Sequence, residues 1–304
     1  MRRHSFKLLF LPLLLSLFAL PAQAQDWAKA ALEKSPRHRE FVTIQHDGRS
    51  LQAYVVYPEV SHKATVVVLI HEIFGLTDWA KEMADELAAA GYIVVAPDLL
   101  SGLGPNGAGS ADFSGREASM KAVSGLDPNG VTADLNASAD YGKKLPSANG
   151  KLAVVGFCWG GGKTFLFATH RKDLAAAFVF YGPPPPDVTA ITAPVYGFYA
   201  GNDARISSTI PDTITAMKAA GKKYDPVVYD GAGHGFMREG EDPSPNTTAA
   251  NKNARAEAFT RLTSLLKQID AQTSSHLTPI ASHLEAASLN ATSVVAKQQV
   301  AACH

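Results

Sequence analysis

The run Gly156-Phe157-Cys158-Trp159-Gly160-Gly161-Gly162 follows directly on the apolar stretch Leu152-Ala153-Val154-Val155. A strand that meets glycines in this spacing is expected to turn sharply into a helix. The pattern is Gly-x-Cys-x-Gly, a nucleophile elbow. Its glycines flank the crest because larger side chains collide within so tight a bend. Serine is the usual residue at the crest. Cysteine there points to thiol chemistry on the same scaffold.

The surrounding pattern supplies the rest of such a scaffold. Phe41 to His46 and Leu51 to Tyr57 read as a hairpin about Asp47-Gly48, and Ala64 to Ile70 as a strand buried on both faces. Trp79 to Ala90 has helical periodicity and stops at Gly91, and Tyr92 to Ala96 is again a strand. Leu99 to Gly130 is a long Gly/Ser/Asn-rich excursion with weak helical character near Arg116 to Val123, of the kind that serves as a lid or active-site loop. Helices are expected at Val131 to Lys144, Lys163 to Arg171, Ile210 to Ala220 and Ala249 to Ile269. The strands Leu152 to Val155, Ala175 to Phe180, Val195 to Tyr199 and Pro226 to Tyr229 alternate with the first three of them. This alternation argues an α/β fold, a mostly parallel sheet with helices on both faces, and with the elbow it reads as the α/β-hydrolase type.

Three reactive residues fall at strand ends in the order nucleophile, acid, base. Cys158 follows the strand ending at Val155, Asp203 follows Tyr199 in Ala200-Gly201-Asn202-Asp203, and His234 follows Tyr229 in Gly231-Ala232-Gly233-His234-Gly235-Phe236. A thiol attacks only as thiolate, and an imidazole takes its proton. His234 is the candidate base, and Asp203 the group that fixes its tautomer and stabilises the imidazolium. The Trp159 N–H, at a helix start, is a candidate oxyanion donor. Asp230 is a rival acid, but it stands only four residues before His234, too near for the usual geometry. Taken singly, Cys158 is also compatible with a buried structural cysteine, Asp203 with a turn former and His234 with a loop cap. Phe74, Tyr181 and Trp159 are candidate pocket walls, although aromatics at element ends more often belong to the core. His71 with His234 and Cys158 lacks the close spacing of a zinc site, so no metal and no cofactor are expected.

Four blocks together resemble the dienelactone hydrolase family: Val68-Leu69-Ile70-His71-Glu72-Ile73-Phe74-Gly75-Leu76, Gly156 to Gly161, Gly201-Asn202-Asp203 and Gly233-His234-Gly235-Phe236. The resemblance spans roughly Phe41 to Leu266. It implies an ester- or lactone-cleaving enzyme with a Cys-His-Asp triad. It also implies that Glu72 contacts the resting thiol and helps to generate the thiolate, and that Ile73 supplies the second oxyanion N–H. Arg238 would bind a substrate carboxylate, unless it is merely a solvated partner of Glu239 and Glu241. Relatives acting on dienelactone use a second arginine soon after the strand that here ends Ala96-Pro97-Asp98-Leu99. This chain has Leu100-Ser101-Gly102-Leu103-Gly104 there and no arginine before Arg116, which points away from dienelactone itself.

The ends of the chain read differently from its body. Arg2, Arg3 and Lys7, the apolar Leu8 to Leu20 and the small-residue site Ala22-Gln23-Ala24 form a signal peptide over residues 1–24, with cleavage before Gln25 and export to a periplasm or medium. Removing those three of 28 basic residues leaves 25 against 28 acidic ones, a net charge of −3. No basic patch suggests nucleic acid and no later segment is long enough to span a membrane. Residues 25–269 fit one hydrolase domain, and 270–304 an Ala/Ser/Thr-rich tail without a packed core. The tail holds Cys303, the second of two cysteines; a Cys158–Cys303 disulfide is the ordinary alternative to a reactive thiol. Asn-x-Ser/Thr sequons begin at Asn136, Asn246 and Asn290. The expected partner is a small-molecule ester or lactone. The other readings are a general carboxylesterase or acyltransferase with the same triad, and a catalytically silent binding protein on the same fold.

Overall fold

A computed structural model describes residues 25–271. The expected signal peptide, Cys303, Asn290 and nearly all of the expected tail lie outside the described residues. The chain starts with a short helix, α1 (Asp26–Lys34), and a hairpin of β1 (Arg39–His46) and β2 (Arg49–Val56). Asp47 and Gly48 both take positive φ, 46° and 75°, as a tight two-residue hairpin turn requires. There follow β3 (Ala64–Ile70), α2 (Asp78–Ala89), β4 (Ile93–Pro97), a 3-10 turn at Ser110–Asp112, α3 (Arg116–Ser124) and α4 (Pro128–Lys144). The second half runs β5 (Ala148–Phe157), α5 (Trp159–His170), β6 (Ala176–Phe180), β7 (Val195–Ala200), α6 (Ala204–Ser207), α7 (Ile210–Ala219), β8 (Tyr224–Tyr229) and α8 (Phe236–Glu239). Residues 249–271 are helical and are called α9.

The eight strands form one sheet in the order β1-β2-β4-β3-β5-β6-β7-β8. β2 is antiparallel to both of its neighbours, and every pair from β4 through β8 is parallel. The order reverses at β3: the chain steps outward to β4, then returns to place β5 on the other side. Reversals of this kind open a crevice at the carboxyl ends of the strands, where ligands bind. The loops after β3 and β5 carry Glu72 and Cys158, so both arrive at that crevice.

Alternation along the strands divides the core in two. Val67 and Leu69 of β3 face α2 and α9, whose Trp79, Met83, Leu87, Ala258 and Leu262 are buried with them. Val66, Val68 and Ile70 face the opposite side with Val131, Leu135 and Ala139 of α4 and Phe165 of α5. β3 is buried along its full length, as its continuous β-branched run predicts. α2 is capped by Thr77, whose side chain accepts from the Ala80 N–H, and α4 by Asp127, which accepts from Gly130.

Three short helices were not expected: α1, α6 and α8. α6 and α8 are too brief to show a period, and α1 buries only Ala28 and Leu32. α5 starts at Trp159 rather than Lys163, because the glycines belong to its first turn. The 99–130 excursion is more ordered than its composition suggests. Buried Asp98 accepts from the Ser110 N–H (2.7 Å), the Ser110 hydroxyl (2.6 Å) and the Leu100 N–H (3.1 Å), pinning the segment to the end of β4. No helix among the described residues is long and apolar enough to cross a membrane.

One packing contact sets how closely α4 lies on the sheet. A Cβ on Gly142 would sit 2.6 Å from Val66 Cγ1 and 3.1 Å from Val95 Cγ2, both on stiff β-branched side chains. Gly142→Ala gains about 1 kcal/mol of helix propensity but costs about 1–3 kcal/mol in overpacking. A lower urea midpoint is expected; a higher one would show that α4 lifts from β3 without penalty.

Candidate active site

The turn between β5 and α5 holds Cys158 at φ 56° and ψ −116°. A non-glycine residue in this conformation carries strain of about 1–3 kcal/mol, which persists only where packing leaves no alternative. Here the packing is severe. A Cβ on Gly156 would lie 2.3 Å from Gly160 O, and one on Gly160 would lie 2.4 Å from the carbonyls of both Ile70 and His71. The Phe180 carbonyl accepts from the Cys158 N–H at 3.0 Å. The elbow is thus clamped between β3 and β6.

The two loops beyond β7 and β8 bring an imidazole and a carboxylate to the sulfur. His234 Nε2 lies 3.1 Å from Cys158 Sγ, and His234 Nδ1 lies 2.5 Å from Asp203 Oδ2. A carboxylate only accepts, so Nδ1 carries the proton and Nε2 is left as an acceptor facing the thiol. Asp203 is 7% exposed, and the loops are stitched together by Asn202 N–H to Ala232 O (2.9 Å) and Gly233 N–H to Asn251 Oδ1 (2.9 Å). Tyr181, fully buried at the end of β6, packs edge-on against the His234 ring with centroids 5.0 Å apart. Asp230, the rival acid, is solvent-exposed.

From the far side, the loop after β3 closes over the sulfur. The N–H groups of Trp159 and Ile73 face Cys158 and act to pull its pKa down. Burial and the nearby Glu72 charge outweigh them, and the thiol is pushed up to about 11. Glu72 is itself buried, which raises its pKa against the opposing charge of Arg238. Its Oε2 accepts from Arg238 Nε at 2.9 Å. Arg238 is therefore held by Glu72 in this conformation rather than presented to solvent. His71 Nδ1 donates to the Glu72 carbonyl (2.7 Å), and its ring stacks on Trp159 with centroids 5.8 Å apart.

The sulfur opens on a cavity of about 400 Å³ lined by Ile73, Trp159, Tyr181, His234, Lys163, Leu166, Arg205 and Pro183 to Pro186. Phe74 and Arg238 line a different cavity of about 370 Å³, together with Arg116, whose guanidinium sits 4.3 Å above the Phe74 ring. The expected substrate-contacting residues thus divide, Tyr181 beside the sulfur and Phe74 with Arg238 next door. Lys163, Arg205 and the proline run were not expected. The signal was present for two of them, since Lys163 stands one helical turn after Trp159 and Arg205 two residues after Asp203.

A doubly wound sheet with a strained elbow at its switch point and an imidazole–carboxylate pair on the following loops defines an α/β-hydrolase. Sequence comparison narrows the class. The model of the dienelactone hydrolase family matches residues 51–270. A protein named "Putative carboxymethylenebutenolidase" from Salmonella typhi is 33% identical over 212 residues, 64% of this chain and 77% of the relative. The carboxymethylenebutenolidase of Pseudomonas putida is 30% identical over 226 residues, 72% of this chain and 95% of the relative. A crystal structure titled "Putative Dienelactone Hydrolase", from Klebsiella pneumoniae, superposes with a TM-score of 0.67 at 25% identity, covering 76% of this chain and 99% of the other. The chain belongs to the dienelactone hydrolase family, and it is a hydrolase.

With the thiol raised to about 11, the resting site holds a neutral sulfur near pH 7. The rate of Cys158 alkylation by iodoacetamide is expected to climb about tenfold per pH unit between about pH 7 and 10. A plateau already reached near neutrality would reveal a preformed thiolate instead.

Proposed function

We propose that this protein is an exported ester or lactone hydrolase that works through Cys158 as nucleophile, His234 as base and Asp203 as its orienting acid. The observation that carries the reading is the unbroken relay from Asp203 to His234 to Cys158, at 2.5 and 3.1 Å, on a strained elbow. The Pseudomonas putida relative's name, carboxymethylenebutenolidase, fits the same reaction class.

Substrate binding displaces water and seats the scissile carbonyl oxygen between the N–H groups of Ile73 and Trp159. The thiol proton passes to His234 Nε2 as the sulfur forms its bond to the carbonyl carbon. The tetrahedral oxyanion then collapses, the C–O bond to the alcohol breaks, and the imidazolium returns its proton to the leaving alkoxide. A thioester remains. Water, deprotonated by the same imidazole, attacks that thioester, the C–S bond breaks, and thiol and carboxylic acid are released. A lactone follows the same course with the alcohol still tethered.

Glu72 and Arg238 set the electrostatics of the first step. Burial, helped by the Glu72 charge, keeps the resting sulfur protonated, which protects it from oxidation and alkylation between turnovers. That charge also favours the imidazolium once the proton has moved. Arg238 holds that carboxylate in place and limits its repulsion of the thiolate.

Export is supported by the basic start, apolar run and small-residue site of residues 1–24, and the hydrolase domain proper is placed at 25–269. Gln25 is already built into the fold, its side-chain oxygen accepting from the Trp79 N–H at 2.8 Å. Mass spectrometry of the exported chain is expected to find Gln25 at its N-terminus; an intact Met1 would remove the export proposal.

With a chromogenic short-chain ester, turnover is expected and iodoacetamide should abolish it, whereas a silent binding protein shows neither effect. Cys158→Ala is expected to remove activity, and Cys158→Ser to lower it by at least about a hundredfold, because the alcohol is far harder to deprotonate. Near-normal rates in Cys158→Ala would reassign the nucleophile. Glu72→Gln should reduce kcat with the fold intact by circular dichroism; unchanged kinetics would take Glu72 out of the mechanism.

A further inference from the structure

Two N–H groups have to meet on one oxygen above Cys158, and a helix fixes only one of them. The Trp159 N–H opens α5. The Ile73 N–H stands between β3 and α2, where regular structure has ended. As far as His71 the backbone is clamped, since a Cβ on Gly160 would lie 2.4 Å from the carbonyls of both Ile70 and His71. The next peptide, which joins Glu72 to Ile73, lies beyond that contact and needs another hold.

A trans peptide is planar, so its C=O and N–H point in opposite directions and turn as one body. Whatever holds the Glu72 carbonyl therefore aims the Ile73 N–H. Two donors reach that carbonyl, the Gly75 N–H at 3.2 Å and His71 Nδ1 at 2.7 Å. The turn makes the longer bond and the imidazole the shorter one. His71 is fully buried, and burial pushes its pKa down against the nearby Asp98 charge. The ring is thus neutral, and its one proton sits on Nδ1, because a carbonyl only accepts. Nε2 meets no polar partner among the described residues, so the Glu72 carbonyl takes the whole hydrogen-bonding capacity that the ring uses. The face of the same ring lies on the Trp159 indole, with centroids 5.8 Å apart and planes 11° from parallel. One side chain touches both residues that carry the donors.

We propose that His71 is a positioning residue for the oxyanion hole: its Nδ1–H fixes the peptide between Glu72 and Ile73, so that the Ile73 and Trp159 N–H groups converge on the substrate's carbonyl oxygen. The inference rests on Cys158 acting as the nucleophile in ester cleavage. The oxyanion exists only once the sulfur has begun to bond to the carbonyl carbon. The contribution of His71 therefore falls on kcat and leaves KM nearly alone.

The test measures kcat and KM for 4-nitrophenyl butyrate with the wild-type protein, His71→Leu and His71→Asn. Leucine fills the site without a donor, whereas the asparagine amide nitrogen falls near the place of Nδ1. His71→Leu is expected to lose about tenfold to a hundredfold in kcat, approaching the loss of an oxyanion donor, with KM within about twofold. His71→Asn is expected to recover most of that loss. Alkylation of Cys158 by iodoacetamide forms no oxyanion, and its rate should stay within about threefold in both variants. Four results overturn the proposal: an unchanged kcat in His71→Leu, a loss expressed in KM, alkylation that slows in parallel with turnover, or an asparagine variant as slow as the leucine one. If the wild-type protein cleaves no ester, the catalytic reading fails on its own. In that case, or if His71→Leu does not fold, nitrogen-15 NMR of the wild-type protein decides whether His71 holds the peptide. A proton on Nδ1 with Nε2 bare supports the hold; a proton on Nε2 near neutral pH defeats it.

Discussion

The site depends on three backbones meeting without side chains between them. Gly160 lies against the carbonyls of Ile70 and His71, and a Cβ on Gly161 would come within 2.3 Å of Phe180 O. Gly182 presses back on the same helix turn, where a Cβ would fall 2.2 Å from Gly161 C and Gly162 N. This contact locks the start of α5 to the ends of both neighbouring strands, β3 and β6. The consequences are geometric. The loop after β3 must deliver the Ile73 N–H beside the Trp159 N–H, and the end of β6 must deliver Tyr181 against the His234 ring. Glycine's poor helix propensity, about 1 kcal/mol per residue, is the cost of that convergence.

The second constraint is electrostatic. A sulfur with two N–H donors at a helix start is expected to ionise easily. It does not, because burial and Glu72 act the other way. In the proposed reaction the donors therefore meet the oxyanion of the substrate rather than a resting thiolate. Such an arrangement favours the state in which negative charge has left the sulfur for the carbonyl oxygen, which is the transition state of acyl transfer. Asp203, 7% exposed and joined to His234, supplies in the proposed reaction the counter-charge to a half-buried imidazolium.

Legibility in the sequence followed the strength of the local signal. β3 is bounded at Ala64–Ile70 as its β-branched run implies, and the hairpin turns at Asp47-Gly48 as that dipeptide demands. Cys158, Asp203 and His234 were legible because each ends a strand in a glycine-rich turn, and the structure brings them within hydrogen-bonding reach. The Glu72–Arg238 pair spans 166 residues, and no periodicity announces it. The order within residues 99–130 was hidden for a similar reason: it comes from hydrogen bonds to the carboxylates of Asp98 and Asp112, not from composition. Lys163 and Arg205 reach the cavity through the turns that follow Trp159 and Asp203, beside Pro183 to Pro186.

The placement of Arg238 has a further support, which lies outside the site. Glu241, three residues later, accepts from Trp79 Nε1 at 2.7 Å and pairs with Arg255 of α9, which also meets Glu86 of α2. Glu82 completes the cluster. Three carboxylates and one guanidinium in a buried space leave an excess of negative charge, and burial raises all three acids, Glu241 to about 7 and Glu82 to about 9. Glu82 therefore keeps its proton near neutrality, which reduces the repulsion on Glu241 and Glu86 and lets Arg255 hold both. Trp79 in turn packs edge-on against Phe157, with ring centroids 5.1 Å apart, immediately before the elbow. Arg255 and the Trp79–Glu241 hydrogen bond thus tie the segment bearing Arg238 to α2, the helix whose Trp79 packs against Phe157, so the Glu72–Arg238 pair and the elbow are held from a single side of the sheet.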